Sequence, residues 1–350
     1  MLKIIGSAFV VCLFPTGVYA QDSSNVPVFK ISGSADIYYR YDLNNPRHVP
    51  YNNFTSFTQS QNSFQPGMAS VKLEHSIGKV GMTVDLGFGK RAEEFSYNDT
   101  RSDVAIKQLL VTYAPSSKLK FTAGSFATHI GYELVDAYLN RNYSMSYLFS
   151  FGPFFHTGLK ADILLGKRNS LMVGIANPSD LKSASLLPKM VIVQFATASA
   201  DEKLKAWFNF QGGKMNDSGR LYQADMVVNY SLSPKWSLGY NGTLQSREMK
   251  TSGKWESPQM WNGSALYINT DIRQWLGFTL RGEYFNDQKN VLGFDTDIFE
   301  TTLSANFKIE NLTIIPEVRF ESAGTKIYST HSEAMVNKTG NFLIAAVYHF

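Results

Sequence analysis

Sixteen ionisable side chains in this sequence share one property: each alternates with apolar residues in an extended row. The basic members are Arg40, Lys72, Lys120, Lys160, Lys205, Arg281 and Arg319. The acidic members are Asp36, Glu74, Asp85, Asp162, Asp225, Glu283, Glu300, Glu317 and Glu321. In a strand, successive side chains point to opposite faces, so these charges share a face that the neighbouring apolar residues do not. A sealed core could not hold so many ionised groups, because each buried, unpaired charge costs several kcal/mol. Water is therefore expected to reach them. Hydrated charges lining a passage act on what moves through it, by field and by width, without making or breaking bonds. The mixture of signs predicts weak ion selectivity.

A second group lies between residues 127 and 155, the longest connection near the middle of the chain. It carries His129, Glu133, Asp136 and Arg141 among many aromatics. Long loops in compact structures are usually functional. Part of this one is expected to fold inward and narrow the lumen, with its acids facing wall bases such as Lys120, Lys160 or Lys205. The competing reading is an exterior loop packed on the rim or on a neighbouring subunit.

Bond-making chemistry has little support. There is no His-Glu-x-x-His helix, no Gly-x-Ser-x-Gly elbow and no phosphate loop. The six histidines show no metal-ligand spacing, so neither metal nor cofactor is expected. Ser144 or Ser146 near His156 could imitate a rim hydrolase site, which leaves an outer-membrane enzyme as one alternative. A surface receptor or adhesion barrel using the loops is the other.

The elements that would carry the charges are strands. Ile31, Gly33, Ala35, Ile37, Tyr39 and Tyr41 alternate with Ser32, Ser34, Asp36, Tyr38 and Arg40. Val80 to Gly89 repeats the pattern across the turn Ser76-Ile77-Gly78-Lys79. Similar hairpins recur, giving seven short turns that alternate with eight longer polar connections, read near 42–66, 90–103, 127–155, 177–188, 212–220, 246–258, 285–293 and 322–339. That arrangement predicts an all-β, antiparallel up-and-down barrel of about 16 strands (14–18), with both chain ends on the short-turn side.

The other face of each row reads as lipid-facing. Leu109, Val111 and Tyr113, Leu204 to Phe210, and Tyr222 to Tyr230 at alternate positions carry no charge. Aromatics make up 14% of the chain while mean hydropathy is only −0.17, as expected when apolar-out and polar-in positions average away. No mature segment offers the ~20 consecutive apolar residues of a membrane helix.

The two ends agree. Phe342, Ile344, Ala346, Tyr348 and the terminal Phe350 form one apolar row with nothing after it to cover them. A terminal Phe of this kind resembles the signal read by the bacterial barrel-assembly machinery. At the start, Lys3, the apolar run Ile4–Phe14 and Val18-Tyr19-Ala20 read as a secretory signal over residues 1–20, leaving a single barrel domain from 21 to 350. Cys12, the sole cysteine, would be lost with it. Without Lys3 the formal charge falls from +4 to +3, too small to argue for nucleic acid.

The segment Ala123-Gly124-Ser125-Phe126-Ala127-Thr128-His129-Ile130-Gly131-Tyr132-Glu133 is followed by Asn140, Ser146-Tyr147-Leu148-Phe149 and Gly152-Pro153-Phe154-Phe155-His156-Thr157-Gly158. Together these resemble the core motif of the β-barrel porin-2 family of Gram-negative outer-membrane porins. The opening Ser32–Tyr41 with Asn44-Asn45-Pro46, and Gly78-Lys79-Val80-Gly81 with Asp85–Gly89, are similar to it as well. His129 stands where that family has Pro, and Met145 where it has Arg. The resemblance implies passive diffusion of small hydrophilic solutes across the outer membrane and supplies no catalytic residues. By analogy with other porins, a homotrimer is expected.

Overall fold

A computed structural model describes residues 27–99 and 101–350. The predicted secretory segment and Cys12 lie outside these residues. Within them the chain forms one large antiparallel sheet, with a separate two-stranded ribbon of Tyr328–Ser329 and Met335–Val336 in a connection. The strands of the large sheet are β1 (Val28–Asp42), β2 (Ser63–Ile77), β3 (Val80–Phe88), β4 (Val104–Ser116), β5 (Leu119–Ala127), β6 (Phe155–Leu164), β7 (Asn169–Ala176) and β8 (Met190–Ala198). It continues through β9 (Leu204–Asn216), β10 (Gly219–Ser231), β11 (Trp236–Thr251), β12 (Gln259–Arg273), β13 (Leu276–Asn286), β14 (Asp297–Ile309), β15 (Leu312–Ala323) and β16 (Lys338–His349). A two-residue extension, Lys254–Trp255, prolongs the edge of β11.

Each strand pairs with its sequence neighbours, and β1 also pairs with β16 from Ser34↔His349 to Asp42↔Asn341, which closes a sixteen-strand barrel. Closure leaves no unpaired edge, a requirement in lipid where backbone groups have no water to bond. Among the described residues no helix is long and apolar enough to cross a membrane. Among these residues two short α-helices, α1 (Lys90–Phe95) and α2 (Tyr147–Ser150), and one 3-10 turn, Ala137–Leu139, occur in connections.

The two-residue period sets which face each side chain takes. On β10, Leu221, Gln223, Asp225 and Val227 are buried, whereas Tyr222, Ala224 and Tyr230 are exposed. A one-residue slip would reverse every position, so the alternation fixes the register. The exposed outward rows include Leu109, Val111, Tyr113, Leu159, Phe208, Leu280 and Tyr284, as the sequence predicted. Trp236 and Trp275 stand exposed at the short-turn rim, where an aromatic girdle is expected.

The seam places the chain end against its beginning. Phe350 N donates to Gly33 O at 2.9 Å and Gly33 N to Phe350 O at 3.1 Å. The Phe350 ring lies where a Cβ on residue 33 would come within 2.8 Å, so only glycine leaves room for it.

The short turns span 78–79, 117–118, 165–168, 199–203, 232–235, 274–275 and 310–311. Long connections span 43–62, 89–103, 128–154, 177–189, 252–258, 287–296 and 324–337 on the opposite rim. The segment 212–220 departs from expectation. Instead of a long connection, β9 and β10 run on to a two-residue turn at 217–218. Gly212-Gly213 and the polar residues after them read as a loop. In the structure Gly213 sits at φ +152, and a bulge at Gly219/Arg220 twists the ribbon without ending it.

The apolar core lies inside the barrel. One cluster joins Tyr132, Tyr147 and Leu148 of the 128–154 connection to Trp207, Trp261, Tyr267, Phe285 and Ile298 on the wall. A second joins Phe57, Ala92, Phe95, Met145, Phe149 and Phe154 from three connections.

Candidate functional site: the inner loop and the lumen wall

The 128–154 connection, here the inner loop, enters the barrel and is held there through its backbone. Tyr147 N and Leu148 N both donate to Glu283 on β13, at 2.9 and 2.8 Å. Tyr143 N and Ser144 N donate to Glu317 on β15, at 3.0 and 3.3 Å. In the other sense, Arg281 Nη1 donates to Ser144 O at 2.8 Å and Arg319 Nη1 to Met145 O at 2.7 Å. The wall thus supplies an acceptor for each donor and a donor for each acceptor, as buried backbone demands.

Side chains add further ties. Tyr143 Oη donates to Asp36 on β1 at 2.5 Å, and Arg141 meets Asp271 on β12 at 3.1 Å. Glu133 lies 2.6 Å from Arg281. Asp136 pairs with Lys107 of β4, which also meets Asp85 at 3.0 Å. Tyr132 stacks on Tyr267 with ring centres 4.0 Å apart. Within the loop, Ser146 caps α2 by accepting from Phe149 N at 3.1 Å while its hydroxyl donates to Glu133 at 2.8 Å. Contacts to β1, β4 and β12 to β15 mean that the loop crosses the interior.

The predicted wall charges all lie on inward rows but divide into two environments. Arg40, Arg281, Glu283, Glu300 and Arg319 are no more than 1% exposed; Asp85 and Asp225 are also buried. These groups are not hydrated, contrary to expectation. The inner loop and neighbouring wall residues replace water: Arg281 lies 3.1 Å from Glu300, Arg319 2.5 Å from Glu321, and Arg40 3.3 Å from Asp42. Asp225 accepts from Asn209, Asn241 and Gly131 N, at 2.7, 2.6 and 3.1 Å. Lys72, Glu74, Lys120, Lys160 and Lys205, in contrast, are partly exposed, and Asp162 sits at the edge of that group.

The loop acids also choose different partners from those expected. Glu133 and Asp136 pair with Arg281 and Lys107, whereas Lys120 and Lys160 both approach Asp162, at 3.7 and 3.6 Å. Lys107 escaped sequence reasoning because strict alternation puts it outward with Leu109. A bulge in β4 at its pairing with Asp85 and Leu86 turns it inward. Its signal is the Lys-Gln break in an otherwise apolar row.

His129 marks the start of the inner loop. Burial holds its ring well below the ordinary range, at about 4, although its Nε2 lies 3.0 Å from Phe210 O. The ring is neutral at physiological pH and pins the loop to β9. His156 Nε2 lies 3.3 Å from Thr128 Oγ1, whereas the hydroxyl of Ser146 goes to Glu133. Ser144 Oγ in turn lies 3.5 Å from Arg281 Nη2, so all three side chains are engaged with other partners.

Solved structures share this architecture. The outer membrane channel DcaP of Acinetobacter baumannii superposes with a TM-score of 0.63 at 11% identity, covering 94% of this chain and 99% of its own. The anion-selective porin from Comamonas acidovorans gives 0.62 at 9% identity, over 93% and 100%. The in-vitro folded trimer form of OmpT from Vibrio cholerae gives 0.57 at 11%, over 93% and 100%. At such identities the likeness speaks for the fold alone. A search of curated proteins finds no significant match. The family described as "Putative beta-barrel porin-2, OmpL-like" matches residues 28–350, nearly the whole described chain, and the protein belongs to that family of outer-membrane porins.

Proposed function

We propose that this barrel is a passive diffusion channel for small hydrophilic solutes in the outer membrane of a Gram-negative bacterium, with the inner loop as its constriction. The observation that carries the reading is the placement of residues 131–148, bound to wall strands on several sides of the interior. A loop so tied narrows the passage at a fixed depth.

Charge of both signs stands around it. Glu283, Glu300, Glu317 and Glu321 are interleaved with Arg281 and Arg319 on one side, and Lys120, Lys160 and Lys205 stand with Asp162 on the other. Such a mixed lining keeps overall ion selectivity weak. Nothing in this mechanism calls for catalysis or a cofactor. The OmpT trimer form supports a homotrimer for this chain, and the apolar Phe350 end supports delivery by the barrel-assembly machinery.

Removing residues 132–146 and measuring single-channel conductance in planar bilayers tests the reading. The shortened protein is expected to conduct more per channel, with larger sugars entering. Unchanged conductance rules out a constriction, and a wild-type barrel that passes no current rules out the channel.

A further inference from the structure

We propose that Lys120 and Lys160 form a subsite for small oxyanions, groups of the phosphate or carboxylate type, on the short-turn side of the inner loop. The proposal rests on the channel reading and names a solute class for it.

The two lysines project inward from the two strands, β5 and β6, between which the inner loop emerges and returns. Their register is fixed: Lys120 opposes Asp162 and Thr122 opposes Lys160, whereas Phe121 and Leu159 in the alternating positions face outward. Lys160 faces Gly174 across β6 and β7, so no side chain crowds it from that strand. Phe126 supports its ammonium from beneath, with the ring centre 5.1 Å away.

The chemistry is unbalanced. Two ammonium groups share one carboxylate, at 3.7 and 3.6 Å, and neither approach is as short as a hydrogen bond. Asp162 Oδ2 has no hydrogen-bond partner. Lys120 is 35% exposed and Lys160 21%, so both keep N–H donors free for a passing solute. Elsewhere inside the barrel, Arg281 and Arg319 are held by acids and carbonyls and are almost wholly buried, out of reach of a passing solute. A solute moving past the loop therefore meets net positive charge at the Lys120–Lys160 pair. Charge-assisted N–H···O bonds to an oxyanion are roughly twice as strong as neutral ones, and a partly enclosed wall strengthens them further.

The test uses the full-length barrel in planar bilayers, with inorganic phosphate as the probe. Phosphate is expected to reduce the chloride current in a concentration-dependent way. The double variant Lys120→Gln/Lys160→Gln should raise the half-blocking concentration at least tenfold and shift the reversal potential in a potassium chloride gradient toward cation preference. Asp162→Asn, which leaves both lysines in place, should lower the half-blocking concentration; this arm does not depend on the double variant folding. Sucrose block should stay the same in all three proteins. An equal phosphate response in wild type and double variant, or none in either, overturns the subsite while leaving the channel intact. A wild-type barrel that carries no current overturns both.

Discussion

Arg281 Nη1 lies 2.6 Å from Glu133 Oε1, and neither side chain reaches solvent. The pair joins the inner loop to β13, and Arg281 simultaneously holds Glu300 and the Ser144 carbonyl. Removing one partner of a buried ion pair strands the other, at a cost of about 3–5 kcal/mol. Arg281→Ala should therefore lower the thermal unfolding midpoint of the detergent-solubilised barrel and broaden its single-channel current distribution. Arg281→Ala with the same midpoint as wild type and an unaltered current trace would show that the loop is held by its remaining ties.

The seam gives a sharper test of assembly. Any Cβ at position 33 would meet Ser70 O at 2.7 Å as well as the Phe350 ring. Overpacking of this kind costs on the order of 1–3 kcal/mol. Gly33→Val should slow formation of the heat-modifiable folded form on denaturing gels, and Phe350→Ala should reduce insertion while leaving Gly33 unstrained. Normal folding rates for both would separate chain closure from the aromatic terminus.

The barrel was legible in the sequence because lipid and lumen impose opposite chemistry on alternate residues. Rows such as Tyr222, Ala224, Met226, Val228 and Tyr230 state the period directly. Turn length was legible where polar residues interrupt that period, and failed at Gly212-Gly213, where glycines belong to a twisted strand. The inner loop's position followed from its length and charges, but its partners did not. Pairing of Asp136 with Lys107 depends on a bulge in β4, and burial of Glu283 and Glu317 depends on backbone N–H groups 136 and 174 residues away. Neither is visible in local pattern. The expectation of hydrated charges failed for the same reason: it compared water with vacancy, whereas the loop supplies a third environment.

Asp180, in the connection 177–189, makes a pH-dependent prediction. It accepts from Phe154 N, Phe155 N and Tyr97 Oη at 2.7, 3.0 and 3.0 Å, and so joins three connections at the long-loop rim. Burial raises its carboxyl to about 6, against the opposing pull of those donors and of Lys182. A raised carboxyl favours the folded state most when protonated. That contribution is full below the unfolded value near 3.8 and is lost as pH rises through about 6. Hydrogen exchange in the segments 89–103 and 177–189 should therefore quicken from pH 5 to pH 7, beyond the intrinsic rate change. Asp180→Asn should remove that extra step, and an Asn variant that keeps it would assign the effect to another group.

The lipid-facing rows predict a dependence on depth. Leu280 is exposed near the middle of β13, whereas Phe320 is exposed near the long-loop end of β15. An arginine at the bilayer midplane costs about 2–4 kcal/mol, falling to about 0–1 near the interface, where the side chain reaches headgroups. Leu280→Arg should therefore lower unfolding free energy in phospholipid vesicles several-fold more than Phe320→Arg. The same pair examined in a small micelle should differ less, because a micelle has no fixed midplane. If the two substitutions cost the same in vesicles, these strands do not cross the membrane at the depth their alternation implies.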